Sequence, residues 1–140
     1  MGFSTIIFHN MFATPKIVFS QIDEDAKLPS RLNISDPDYL IYSPSTKIIA
    51  STDKTEISTG LVIEDIVKGV WIMLFPSDLF ENVEVFPKTI NNSFRGELKI
   101  VLYNNSENSY IVNPGDVIAK MTYLPLLTIE PEFIQKNESL

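Results

Sequence analysis

The sequence has no cysteine, a single histidine (His9), two arginines (Arg31 and Arg95) and five glycines in 140 residues. Without cysteine there is no disulfide, no thiolate metal site and no cysteine nucleophile. One histidine cannot build a histidine metal cluster. Set among Ile6, Ile7, Phe8, Met11 and Phe12, His9 reads as a packing or surface residue. Basic residues are also few, 11 against 18 acidic, for a formal net charge of −7. Such a diffuse negative field disfavours nucleic acid as a partner, because that binding rests on neutralising phosphates. It gives no general attraction for nucleoside triphosphates either. No apolar run approaches the ~20 residues that a membrane span needs. Met1-Gly2-Phe3-Ser4-Thr5-Ile6 misses the myristoylation pattern at Ile6, and nothing reads as a signal peptide. The expected compartment is intracellular, in a host cell or a virion. Internal repeats, low-complexity tracts and long 3.6-residue periodicity are missing as well.

What the chain does have is a succession of short apolar runs between turn signals. Hydrophobic residues make up 44% and charged residues 21%, the balance of one globular domain. The expected strands begin with Ile17-Val18-Phe19-Ser20 and Tyr39-Leu40-Ile41-Tyr42. Lys47-Ile48-Ile49-Ala50 and Thr55-Glu56-Ile57-Ser58 follow, paired around residues 51–54, and then Leu61-Val62-Ile63-Glu64 after Gly60. A turn over 64–68 leads to Gly69-Val70-Trp71-Ile72-Met73-Leu74-Phe75, whose lack of polar alternation predicts a strand buried on both faces. Val83-Glu84-Val85-Phe86 alternates and should be half exposed. A tight turn at Asn91-Asn92-Ser93, released by Gly96, precedes the core strand over residues 98–103. Tyr110-Ile111-Val112 and the run from Val117 to Tyr123 complete the set. About ten short strands at close spacing predict an all-β, jelly-roll-like barrel or sandwich. The expected organisation is an N-terminal arm over 1–15, a β domain over 16–123 and a tail over 124–140. The apolar arm is expected to contact a neighbouring subunit. The closing Glu138-Ser139-Leu140 reads as a frayed terminus.

Several segments, in order, resemble the trimeric dUTPase family. Ala26-Lys27-Leu28-Pro29-Ser30-Arg31 and Tyr39-Leu40-Ile41-Tyr42-Ser43 resemble its opening block and first motif. Ile57-Ser58-Thr59-Gly60-Leu61 resembles its T-G strand, and Lys68-Gly69-Val70-Trp71 through Pro76 the strand into its second motif. Ile90 through Gly96 and on to Asn104 resembles its uracil-binding hairpin and third motif. Gly115-Asp116-Val117-Ile118-Ala119-Lys120 resembles its fourth motif, G-D-R-I-A-Q. The resemblance implies a jelly-roll-like domain, a homotrimer with sites between subunits, and cleavage of dUTP to dUMP and pyrophosphate.

The positions that would carry that chemistry are altered. The family's water-activating aspartate falls on Asn91, and an amide cannot accept the proton. The first-motif aspartate falls on Leu40, which cannot support a cation or its water shell, although Asp38 lies two residues earlier. The second motif's P-R-S-G becomes Pro76-Ser77-Asp78-Leu79, which puts Ser77 at the phosphate-binding arginine and Asp78 at the phosphate-contacting serine. Phe94 stands for the aromatic under the sugar, and Lys120 for a glutamine from which it could still touch phosphate. No glycine follows Gly115, so the Gly-rich closing arm has no counterpart. Arg95 reads as a buried ion-pair partner before a ligand contact. The expectation is a pseudoenzyme without catalytic residues, metal site or cofactor. It would serve as a structural or interaction module, viral in origin, with an unidentified protein partner. Ser77, Asp78, Asn91, Phe94, Arg95 and Lys120 would be vestiges of a nucleotide site. The alternatives are a working or noncanonical dUTP pyrophosphatase, with Mg2+ as its cofactor, and a regulator that binds the nucleotide without cleaving it.

Overall fold

The computed structural model describes residues 15–136. His9, the rest of the N-terminal arm up to Thr14, and Glu138-Ser139-Leu140 lie outside the described residues. Ten strands and no helix are present among those described: β1 (Ile17–Gln21), β2 (Asp38–Tyr42), β3 (Lys47–Ile49), β4 (Lys54–Ile66) and β5 (Val70–Pro76), then β6 (Val83–Phe86), β7 (Thr89–Ile90), β8 (Gly96–Asn104), β9 (Tyr110–Val112) and β10 (Val117–Pro125). They form two four-stranded antiparallel sheets, ordered β1-β4-β8-β6 and β2-β10-β5-β7, and a small β3-β9 ribbon. The all-β expectation is met. No helix among the described residues is long and apolar enough to cross a membrane.

Alternation explains how the sheets pack. Leu98, Ile100 and Leu102 of β8 are buried while Glu97, Lys99, Val101 and Tyr103 face away. Ile57 and Ile63 of β4 and Val85 of β6 join them from the first sheet. Ile41, Ile72, Leu74, Ile90, Ile118 and Met121 oppose them from the second. Ile49 and Val112 close one end of this single core through the ribbon.

Three local expectations change. Residues 47–50 and 55–58 do not pair with each other. β3 takes β9, and β4 takes β8 and β1. The two short strands expected around Gly60 are one strand of 13 residues, running to Ile66. A bulge between Ser58 and Val62 lets it bend from one neighbour to the other. The Thr59 hydroxyl stitches that bulge, donating to Leu98 O at 2.6 Å and accepting from Leu61 N at 3.2 Å. Third, β5 is buried on one face only. Ile72 and Leu74 point inward, while Trp71 and Phe75 remain 36% and 39% exposed. Its apolar run had hidden an ordinary period of two. β10 also extends past residue 123, to Pro125.

Among the described residues, buried polar side-chain atoms are satisfied. Asn104, fully buried, donates to Ile49 O and Asn108 O and accepts from the Ser106 amide and hydroxyl. It ties the ribbon and the loop after β8 to the sheet.

Gly60 has φ +74°, and a Cβ there would lie 2.6 Å from Asp23 Cβ and 2.9 Å from Ala26 Cβ. Gly60→Ala therefore combines left-handed strain with overpacking and should destabilise by about 2–4 kcal/mol. Urea unfolding with an unchanged slope and a lowered midpoint is the expected result.

Candidate active site

A concave site lies between β7 and β8. These strands are neighbours in sequence but do not pair. β7 joins β5 in the second sheet (Ile72 with Ile90), whereas β8 joins β4 and β6 in the first. The segment between them crosses from one sheet to the other, and the divergence leaves a cleft of about 270 Å3. Its walls include Ile90, Asn91, Phe94, Glu97 and Lys99.

The crossing segment is held by three side chains. Asn92 Nδ2 donates to Val67 O at 2.6 Å and Val70 O at 3.1 Å, anchoring the turn to the β4–β5 connection. Asn91 Oδ1 accepts from the Ser93 amide at 3.0 Å and its hydroxyl at 3.3 Å, an Asx turn. Arg95 Nη1 donates to Asn92 O and Phe94 O, and Nη2 pairs with Asp65 at 2.9 Å. That pair is exposed, with 42% of the arginine side chain open to solvent, and not buried. Its two backbone contacts matter more than its charge. Gly96, at φ +144°, sits under Phe94, whose Cζ would lie 3.3 Å from any added Cβ. The half-exposed ring leans over that gap at the cleft.

The other sequence-derived positions are elsewhere. Leu40 on β2 and Phe75 on β5 flank Lys120 on β10, on the outward face of the second sheet. Lys120 Nζ bonds Asp78 at 2.6 Å. Ser77 is buried and caps the turn by accepting from Leu79 N at 3.1 Å. None of Leu40, Ser77, Asp78 or Lys120 lines the β7–β8 cleft of the same chain. Asp38 accepts a hydrogen bond from Thr122. Leu40 has no ligand atom, and among the described residues no three His, Cys, Asp or Glu side chains converge. These donors do not fit a metal held by this chain alone.

Sequence reasoning missed two residues. Asn92 looked like generic turn chemistry, yet it fixes the crossing. Glu97 looked like part of a strand, yet it borders the cleft, and its carboxylate receives a hydrogen bond from the Ser58 hydroxyl and lies 3.7 Å from Lys99 Nζ. Its period-two relation to Lys99 was the available signal.

A larger cavity of about 380 Å3 opens between the sheets beside Phe19, Tyr39, Ile66 and Tyr123. It is mainly apolar and no carboxylate lines it. Tyr39 and Tyr123 meet edge to face there at 5.1 Å. Burial, then the neighbouring Tyr39, pushes the Tyr123 hydroxyl well above the ordinary phenol value of 10.0.

This architecture, an antiparallel double sheet with a cleft at a sheet-crossing segment, defines an all-β, jelly-roll-like fold class. The dUTPase family matches residues 24–140, and the chain belongs to that family. It is 31% identical over 122 residues to a deoxyuridine 5'-triphosphate nucleotidohydrolase of Hydrogenobaculum, covering 82% of this chain and 83% of that one. A protein of the same name from Paramecium bursaria Chlorella virus 1 is 27% identical over 115 residues, covering 80% and 81%. The dUTPase structure of Staphylococcus aureus phage phi11 superposes with a TM-score of 0.72 at 19% identity, covering 89% of this chain and 99% of that one. These relatives overturn the expectation of a pseudoenzyme serving as an interaction module. Bacterial and viral proteins match alike, so the likeness carries no viral signature.

Two outcomes are expected. Asn92→Ala removes both bonds to the β4–β5 turn and should cost about 1–3 kcal/mol in urea unfolding, because the two carbonyls lose their donor. Tyr123→Phe should flatten the alkaline loss of stability. In the folded chain the phenol stays protonated beyond its ordinary range, so the unfolded state ionises first and stability falls as pH rises past that range. The melting temperature of the variant should fall less than that of the parent between about pH 9 and about pH 11.

Proposed function

We propose that this chain is a deoxyuridine-triphosphate nucleotidohydrolase that converts dUTP to dUMP and pyrophosphate. The observation that carries the reading is the open β7–β8 cleft, in a chain whose nucleotidohydrolase relative aligns over four-fifths of both sequences. A vestigial site would gain stability by filling such a cleft with apolar side chains. Here the cleft stays open although its lining is largely apolar.

The chemistry of the cleft suits a pyrimidine nucleoside. Because β7 and β8 turn to different sheets, their facing backbone edges form no ladder with each other. Unpaired strand edges read a flat heterocycle by alternating donors and acceptors, as they read an added strand. Uracil presents acceptor, donor and acceptor along one edge. Cytosine replaces an acceptor with an amino group and leaves one backbone donor unmatched. Phe94, half-exposed at the mouth, supplies an apolar surface for the sugar.

Two features support assembly as a homotrimer. Trp71, Phe75 and Leu124 form an exposed apolar strip on the outward face of the second sheet, a surface suited to burial against another copy. Lys120, with Ser77 and Asp78 beside it, lies outside the cleft of its own chain. It would reach a triphosphate bound to a neighbouring copy, once Asp78 releases it. Arg95 keeps the hairpin in shape. A divalent cation would arrive with the triphosphate as part of the substrate.

The purified protein should release dUMP and pyrophosphate from magnesium dUTP, and act at least about tenfold more slowly on dCTP. Release no faster than in protein-free buffer would refute the assignment. Light scattering should give three chain masses.

A further inference from the structure

The second cavity, of about 380 Å3, takes no part in the nucleotide reading. Phe19, Tyr39, Ile66, Val70 and Tyr123 line it, and so does Leu28, although Leu28 is 64% exposed. Pro15 and Lys16, the first described residues, stand at its wall. We propose that this cavity receives the apolar segment that immediately precedes Pro15 in the same chain, with Phe12 as the side chain that enters it.

The chemistry of the two parts matches. Residues 1–14 contain no aspartate, glutamate, lysine or arginine, and every one of the 18 acidic and 11 basic residues lies beyond them. Phe3, Ile6, Ile7, Phe8, Met11 and Phe12 fall within the same stretch. Apolar side chains at that density need cover from water. The cavity offers it. Lys16 is the one charged residue among the described residues that line it, and a lysine can lay its aliphatic stem along an apolar wall while its ammonium stays in water. An apolar cavity of roughly 150 Å3 already accepts a benzene-sized ring. A space of about 380 Å3 therefore has room for the Phe12 phenyl and part of a neighbour such as Met11. The rings of Phe19, Tyr39 and Tyr123 give that phenyl aromatic edges and faces to pack against.

The tether selects the occupant. Lys16 O accepts from Val67 N at 3.1 Å and Ile17 pairs with Ile66, so β1 holds the end of the segment at the cavity wall. An extended chain advances at most ~3.6 Å per residue, which keeps Phe12, three residues before Pro15, within about 11 Å of it. So short a link gives an effective concentration in the millimolar range, which a separate chain at micromolar concentration does not match. Phe3 and the Ile6-Ile7-Phe8 run have longer tethers, which makes Phe12 the anchor. Docking would also cover Leu28 at the rim.

The test exploits the lack of cysteine in the sequence. Met11→Cys and Leu28→Cys together, in the full chain, place two thiols beside the contact while keeping Phe12. Leu28 is exposed, so its replacement leaves the core intact. With oxidised glutathione the pair should close an intramolecular disulfide, which needs Cα atoms within ~7 Å. Non-reducing electrophoresis and the loss of both free thiols read the closure. Adding Phe12→Ser should slow it at least about tenfold, whereas adding Phe3→Ser should leave the rate within about twofold. In the otherwise unsubstituted chain, Phe12→Ser should lower the melting temperature by about 2–4 °C and Phe3→Ser by less than about 1 °C. Equal closure rates with and without Phe12→Ser overturn the proposal, because chain proximity alone would then account for the disulfide. A disulfide that joins two chains overturns docking within one chain and gives the cavity to the segment of a second copy. An unchanged melting temperature in Phe12→Ser overturns the anchor even where the disulfide forms.

Discussion

The constraint on which the rest depends is the passage of the chain between its two sheets over residues 91–95. A hairpin whose arms pair with each other is a closed surface. Here one arm, Thr89–Ile90, is committed to β5 and the other, Gly96–Asn104, to β4 and β6. The cleft is the geometric remainder of that choice. It persists because Asn92 and Arg95 bind backbone groups at the crossing, so closing it would break the bonds to Val67, Val70, Asn92 and Phe94. The site is therefore built from the same interactions that join the two layers, and stability and binding cannot be separated at Asn92.

Much of the fold was legible because it depends on local chemistry. Gly96 and the Asn91-Asn92-Ser93 turn announce a reversal, and alternation in Val83-Glu84-Val85-Phe86 announces a half-buried strand, as found. What failed was partner choice. Nothing local to Lys47-Ile48-Ile49 says that it will meet Tyr110-Ile111-Val112, some 60 residues further along the chain, instead of the nearby Thr55 run. Gly60 suggested a break between two strands, because a left-handed residue ends most ladders. A bulge stitched by Thr59 lets the ladder continue around it. The run from Val70 to Phe75 misled for another reason. Its outward face is apolar too, so composition could not tell a strand covered on both sides from one awaiting a partner.

At the site, the sequence located the hairpin but weighed it one position at a time. Asn91 for aspartate, Leu40 for aspartate and Ser77 for arginine each remove a familiar part, and together they suggested lost chemistry. Cavities are collective, and no single substitution records whether one has closed. Glu97 escaped notice because its contact is tertiary. The Ser58 hydroxyl that donates to it comes from the neighbouring strand. That fact is not written near residue 97.

The strip that includes Trp71 has one more consequence. Trp71 is the protein's single tryptophan, and it lies half-open on β5 immediately before Ile72, the residue whose backbone meets the cleft strand at Ile90. The indole is thus an intrinsic optical reporter for the molecule. Its emission registers whatever covers that face, and so separates an isolated chain from an assembled one without any added label.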